Sequence, residues 1–361
     1  MSAKKVVVVG GGIVGCMTAM ELVGRGCQVT IVERNQIASQ TSGESSWAGG
    51  GIIFPLLPWD YSDEVNALTS YGMQAHHAVL QKLQQETGID TGFDQTGFLL
   101  LPHLDVVAAI DWCARHQVPV QRVKASAFGV QSLSGEDALW LPTVCQARPP
   151  YVMQALRQWL VNHHVTLIEH TALVPLKETG AIQSWQTTTG EIIEADQFVV
   201  TSGAWSFEIL KETSAKLNIK PMRGQILLYK PAKNLEQMVY REGFYMIPRP
   251  DGHLLAGSTL EDVGFDASVT DVVREELKNK AEAILPALNH EPIIKHWSGL
   301  RPGTPENLPV ISAHPTIQNL YLNTGHFRYG LTMAPASAKL IAALMMGEAP
   351  FLDASPYACQ I

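Results

Sequence analysis

The stretch VVVVGGGIVGCMTAMELVGRG, from Val6 to Gly26, opens on four consecutive valines and runs straight into Gly10, Gly12 and Gly15. An unbroken β-branched run reads as a strand buried on both faces, and glycines ordered GxGxxG at its end read as the turn into a helix that receives a dinucleotide. Gly10 allows the tight turn and Gly12 lets a pyrophosphate approach the backbone. Gly15 allows close helix packing, with free N–H groups aimed at the phosphates. A second strand, Cys27 to Val32, delivers Glu33, whose carboxylate can accept both hydroxyls of an adenosine ribose. That acid disfavours a ribose 2′-phosphate, while the neighbouring Arg34 leaves the choice of dinucleotide open on these residues alone.

Outward from this unit, 361 residues are enough for two domains or one domain with a large insertion. A net charge of −8 and the lack of any Lys/Arg run give no electrostatic footprint for nucleic acid or an anionic membrane. Cys16, Cys27, Cys113, Cys145 and Cys359 are odd in number and scattered without a CxxC, a pattern of reduced thiols rather than a disulfide framework or zinc site. The start MSAKK leads directly into the nucleotide unit and the valine strand is too short to span a bilayer. The reading is a cytoplasmic protein with no integral membrane segment.

ESSWAGGGI, Glu44 to Ile52, follows. Ser45 and Ser46 there can cap a helix or hold a phosphate, and Gly49, Gly50 and Gly51 allow backbone to lie flat against a planar ring. Helical spacing predicts helices from Glu64 to Thr87, stopped by Gly88, and from Asp105 to His116, Tyr151 to His164 and Val269 to Ile284. Strands are predicted at Thr96 to Pro102, Ala172 to Leu176, Ile182 to Thr188, Glu191 to Glu194 and Phe198 to Thr201, with turns at Thr179-Gly180 and Thr189-Gly190. TSGAWS, after the last of these, is a second place for backbone to approach a cofactor. Mostly strand content follows from Lys220 to Trp297, and a final strand-turn-helix unit ends at Gly347. The whole reads as an α/β chain in two parts. One is a discontinuous Rossmann-like nucleotide domain of residues 1–75, 150–205 and 300–361, and the other a mostly antiparallel substrate domain of 76–149 and 206–299.

Several residues can carry chemistry. GHFRYG, Gly325 to Gly330, joins a strand to a long apolar helix, and such a positive helix end can stabilise negative charge on a buried ring. His326 and Arg328 are costly beside so apolar a segment without partners. Arg301, in LRPGTPE, can clamp a small carboxylate through two parallel bonds or form an internal ion pair, and spacing alone does not separate the two. Tyr245 can donate its hydroxyl to the same carboxylate or serve as a core tyrosine. His76-His77 and His163-His164 lack metal-ligand spacing, and HxH, HExxH and GxSxG are absent, so no metal site or serine hydrolase is predicted. Cys16 at the helix start reads as a packed thiol.

VVGGGIVG, ESSWAGGGI, TSGAWS, PMRGQ, IPRPDGHLLAGST, WSGLRPGTPE and GHFRYG together span nearly the whole chain. In order and spacing they resemble the FAD-dependent D-amino-acid oxidase superfamily, and within it the glycine oxidases of thiamine biosynthesis. The resemblance implies that Gly10, Gly12, Ile13, Val14 and Gly15 hold the pyrophosphate of FAD, and that Glu33, Arg34 and the backbone of Leu173 hold the adenosine. Ser45, Ser46, Gly50, Gly51 and Ile52 would contact the flavin side, with His326, Phe327, Arg328, Tyr329, Gly330, Leu331 and Thr332 along the ring. Arg301 would grip the substrate carboxylate with Tyr245 and Arg328 nearby.

An amino acid so held presents its α C–H to the flavin, dioxygen takes the electrons to give hydrogen peroxide, and the imine hydrolyses or passes to a thiazole-forming partner. Glycine, sarcosine and D-alanine are the implied substrates, and a homo-oligomer is expected. Sarcosine oxidases attach flavin to a cysteine near the last motif; none lies there, so FAD is expected to be non-covalent. Tyr329 stands where a smaller polar residue is expected, and Trp47 where other members carry smaller ones. The competing readings are a D-amino-acid dehydrogenase that reduces a quinone and a flavoprotein that matures a partner protein.

Overall fold

The computed structural model describes residues 3–40, 43–130, 137–177 and 180–360. Its first sheet has six strands in the order Val310–Ala313, Leu320–Thr324, Gln197–Val200, Lys5–Val9, Gln28–Val32, Thr166–Ile168. All pairs are parallel except the edge pair Val310–Ala313 with Leu320–Thr324. Val6 to Val9 lie at its centre, buried on both faces: Val6 and Val8 pack under the helices, Val7 and Val9 in a small core with Ile182 and Trp185.

Helices Ile13–Gly24 and Gly330–Met346 lie on one face of this sheet and pack on each other, and Pro149–Asn162 and Asp63–Thr87 complete the same core. Ser62 caps Asp63–Thr87 by accepting from Val65 N, and Gly88 ends it at φ 73°, a left-handed geometry suited to glycine. The stretch Phe327–Met346 is long and apolar enough to cross a membrane by length and composition, but 72% of its apolar window is buried inside the fold. Its Met333, Ala336, Leu340 and Ile341 join the core beneath the parallel sheet.

The second sheet has eight strands: Lys295–Gly303, Lys220–Tyr229, Leu254–Gly257, Phe244–Pro248, Met238–Arg241, Phe98–Leu100, Asp137–Leu141, Gln121–Lys124. Only Met238–Arg241 and Phe98–Leu100 run parallel; every other neighbouring pair is antiparallel. Helix Asp63–Thr87 runs through residues 75 and 76, and strand Lys295–Gly303 through 299 and 300, so both of these elements cross from one expected segment to the next.

The predicted helices form with shifted starts. The third begins at Pro149, because Pro149 and Pro150 fit the first helical turn, where no N–H is needed. The fourth begins at Asp271 with Thr270 as its cap. Ala172 to Leu176 does not make a strand: only Leu173 bridges to Thr187, beside the ribbon of Ser184–Gln186 with Ile192–Glu194. Leu173 and Leu176 are instead buried in a small core with Trp185 and Phe198. The turn predicted at Thr179-Gly180 falls partly outside the described residues.

Candidate functional site

A cavity of about 280 Å³ opens at the carboxyl end of the parallel sheet, the side on which α/β sheets bind ligands. Gly10, Gly12, Ile13, Val14, Glu33, Arg34, Ser45, Ser46 and Leu173 line it, with His326, Phe327 and Gly330 at its far end. A second cavity of about 120 Å³ continues from it, lined by Ile13, Ser45, Ser46, Gly50, Gly51, Ile52, Tyr245, Arg301, Phe327, Arg328, Tyr329, Gly330, Leu331 and Thr332. Ile13, Ser45, Ser46, Phe327 and Gly330 wall both, so the two form one cleft.

Of the site residues read from the sequence, Gly15 alone lies off both walls. Its role is packing: a methyl group there would stand 2.0 Å from Gly10 O and 2.6 Å from Thr201 Oγ1. Gly10 sits at φ 116°, where an added methyl would meet Thr201 O at 2.8 Å. Gly12 opens on the cavity, with only Ser46 Oγ close to its missing side chain, at 3.0 Å. That hydroxyl accepts from Ile13 N at 3.0 Å, so Ser46 caps the glycine helix from a distant segment. Glu33 accepts from Gly11 N at 2.7 Å and Asn35 N at 2.9 Å, which fixes its carboxylate at the cavity wall. Arg34 lies 3.5 Å over the Trp205 ring and pairs with Glu44 at 3.6 Å.

The walls fit a flavin dinucleotide. His326 is 2% exposed, and its Nε2 finds no partner within the protein. Burial pushes its pKa down to about 3, so the imidazole is neutral. Asn323, also on the cavity wall, donates to Thr18 and leaves its buried Oδ1 unpaired. Unpaired buried polar atoms facing a cavity call for a polar ligand. No cysteine among the described residues lines either cavity, and no cluster there can hold a metal ion. Cys16 is fully buried, and burial pushes its thiol far above the ordinary range, so it is a packed residue.

At the other end of the cleft Arg301 decides between its two sequence readings. Nη1 donates to Thr259 O at 3.1 Å and Nη2 to Ser258 Oγ at 2.7 Å, and no carboxylate pairs with it among the described residues. Burial pushes the guanidinium below the ordinary arginine range; Tyr245 opposes that shift, Arg328 adds to it, and Glu261 opposes it from further off. A half-buried cation with neutral partners is short of an anion. Tyr245 is 7% exposed on the same wall, against Gly50. Arg328 escapes the expected cost of burial by standing exposed at the rim, 5.5 Å from the Phe327 ring. Tyr329 is buried, donates to Leu56 O at 3.0 Å and packs edge-on against Tyr61. Trp47 stacks on Trp297, which donates to Ala48 O, outside the cleft.

Sequence reading missed several contributors. Arg249 is buried and donates to Gly50 O at 2.5 Å and Ala147 O at 3.0 Å, pinning the glycine loop. Gly51 needs its φ of 87°, since a methyl group would meet Ala147 O at 2.0 Å. Arg249, Asn323, Ser258 and Thr259 carry no spacing signal, because each reaches the cleft from a segment remote in sequence.

A family model described as FAD dependent oxidoreductase matches residues 5–344. The chain is 40% identical to the glycine oxidase of Pseudomonas aeruginosa across 99% of this chain and 98% of that one. It is 38% identical to the glycine oxidase of Pseudomonas putida across 99% and 98%. It is 28% identical to the bifunctional protein ThiO/ThiG of a Nostoc species, across 96% of this chain and 53% of that longer protein. The crystal structure of glycine oxidase from Geobacillus kaustophilus matches it with a TM-score of 0.89 over 99% of both chains at 24% identity, a likeness of fold.

Proposed function

The chain belongs to the FAD dependent oxidoreductases, and from that premise we propose that it oxidises a small amino acid, glycine foremost, to its imine. The imine hydrolyses to the 2-oxo acid and ammonia, and dioxygen is reduced to hydrogen peroxide. The observation that carries this reading is Arg301, a half-buried guanidinium with two neutral partners at the end of a cleft whose other end suits a dinucleotide. The relatives named glycine oxidase match end to end.

FAD, when bound, supplies the two-electron acceptor. Gly10, Gly12, Ile13, Val14 and Ser46 hold its pyrophosphate, Glu33, Arg34 and Leu173 its adenosine, and Ser45, Gly50, Gly51, Ile52 and His326 to Thr332 its flavin side. Attachment is non-covalent. Arg301 grips the substrate carboxylate with both terminal nitrogens, Tyr245 donates its hydroxyl to the same group, and Arg328 at the rim draws anions inward. With the carboxylate fixed, the uncharged amine drives loss of the α hydrogen without a dedicated protein base, so positioning is the main contribution of the residues. Tyr329, held by Leu56 O, narrows the cavity beside them and favours a small side chain.

The two sheets support a cofactor domain of residues 1–75, 150–205 and 300–361 and a substrate domain of 76–149 and 206–299, tied by the two elements that cross between segments. Relatives named ThiO/ThiG, about twice this chain's length, support passage of the imine to a thiazole-forming partner. We place the protein in the cytoplasm as a homo-oligomer. Anaerobic titration of the yellow protein with glycine, then sarcosine and D-alanine, tests the reading. Glycine should bleach the visible flavin band most effectively, and air should restore it with peroxide release. Bleaching without peroxide would move the assignment to a dehydrogenase, and no bleaching would move it to a larger amine or a protein substrate.

A further inference from the structure

Four strands of the large sheet meet around Arg301, and the space its head group occupies is created by an absence. A methyl group on Gly224 would stand 2.1 Å from Nη1 and 2.4 Å from Cζ, so the flat guanidinium lies directly on the Gly224 backbone. On its other side stand Thr259 O and Ser258 Oγ. The loop that carries them leaves the sheet after Gly257 and is clamped back onto it by Glu261. Glu261 exchanges backbone bonds with Arg223, N to O at 2.9 Å in both directions. One carboxylate oxygen of Glu261 accepts from Thr259 Oγ1 at 2.5 Å and Gln225 Nε2 at 3.0 Å. The other accepts from Arg223 Nη2 at 2.7 Å. Arg223, 4% exposed, also pairs with Asp266 at 2.7 Å.

This arrangement solves a problem that a half-buried anion-binding arginine creates. The nearest carboxylate would neutralise Arg301 if it were free to turn toward it, leaving nothing for a substrate. Glu261 is occupied by Arg223, Thr259 and Gln225, so it stays close enough to favour the charged guanidinium but outside pairing distance.

We infer that Gly224 and Glu261 are positioning residues for the substrate carboxylate, acting through Arg301: Gly224 provides the seat, and Glu261, diverted by Arg223, fixes the loop that orients the two terminal nitrogens. The inference rests on the reading that Arg301 binds that carboxylate.

The test compares glycine with glycine ethyl ester, an amine without a carboxylate, as reductants of the holoenzyme under anaerobic conditions. FAD occupancy is followed by visible absorbance. The readout is the glycine-to-ester ratio of kcat/KM in Arg301→Ala, Gly224→Ala, Glu261→Ala and Glu261→Gln. The ratio should fall on the order of 100-fold in Gly224→Ala, as for an ångström-scale misplacement of a binding group. It should fall roughly tenfold in Glu261→Ala, as for loss of a charge-assisted bond, and recover in Glu261→Gln, which can still accept from Thr259. If Glu261→Ala loses its flavin, Gly224→Ala and Glu261→Gln decide. A ratio that falls in Arg301→Ala but stays at the wild-type value in Gly224→Ala or Glu261→Ala overturns the positioning role and leaves the carboxylate reading standing. A ratio unchanged in Arg301→Ala overturns that reading, and this inference with it.

Discussion

At the Glu33 end of the cleft the walls are mostly backbone, brought close by Gly10, Gly12 and Gly15 within one strand, turn and helix. At the Arg301 end the groups come from separate strands and loops of the other sheet: the side chains of Tyr245, Ser258 and Arg301, the carbonyl of Thr259 and the bare backbone of Gly224. The first end recognises a large, invariant ligand through N–H groups and shape. The second, in the proposed function, binds a small ligand by charge and reach. An added atom at Gly10 or Gly15 meets fixed backbone, whereas one at Gly224 meets the end of a side chain that can shift, so the second end changes in affinity by degrees.

The largest effect should come from Gly15→Val, which forces branched carbon against Gly10 O and Thr201 Oγ1. The purified variant should hold no flavin, read as the absorbance ratio of the visible band to the protein band; full occupancy would break the distinction between the two ends.

A smaller effect is set by pH. His76 and His314 are pushed down to about 4 and His326 to about 3 from an ordinary 6.5, chiefly by burial. The unfolded chain therefore takes up protons that the folded chain refuses, and stability is full above pH 6.5 and declines as pH falls toward 4. Each of these buried histidines contributes a slope of at most about 1.4 kcal/mol per pH unit. His326 lines the first cavity and His76 bonds Leu331 O on the wall of the second, so acid should release FAD as thermal stability falls, while His314 sits at the far end of the sheet beside Leu320 and Thr213. A flat unfolding temperature between pH 7 and 5, or acid unfolding with FAD retained, would contradict this.

The mildest prediction sharpens the same contrast. Ser46→Ala removes the acceptor for Ile13 N and should cost about 1 kcal/mol of stability with a few-fold weaker FAD affinity, while the KM for glycine in FAD-saturated enzyme stays within twofold or so. A larger KM change would mean that the ends are coupled through the shared wall at Ser46.

The same contrast explains what was legible in the sequence. The cofactor end is local: glycine spacing, a buried valine strand and an acid at the end of the next strand are physical requirements written within 30 residues or so. The parallel and antiparallel division of the sheets followed from strand composition, and helix ends from Gly88 and Gly347. Arg301 was visible as a candidate, but its freedom from an ion pair was not, because that depends on Glu261 facing Arg223 across 38 residues. Ala172 to Leu176 misled because β-branched and apolar residues fill a small core as readily as a ladder. Ser46 was read as a cap, but the helix it caps begins 33 residues earlier.

The sheet order also sets a timetable. Lys5–Val9 leaves the ribosome before the other strands of its sheet, yet one of its two neighbours is Gln197–Val200, which in turn waits for Leu320–Thr324. At about 5–20 residues per second, the valine strand stands with one edge open for on the order of ten seconds or more. During that interval the most β-prone segment of the chain has an unfilled ladder. The demand on chaperones therefore falls early, on a segment whose own sequence is among the least ambiguous in the protein.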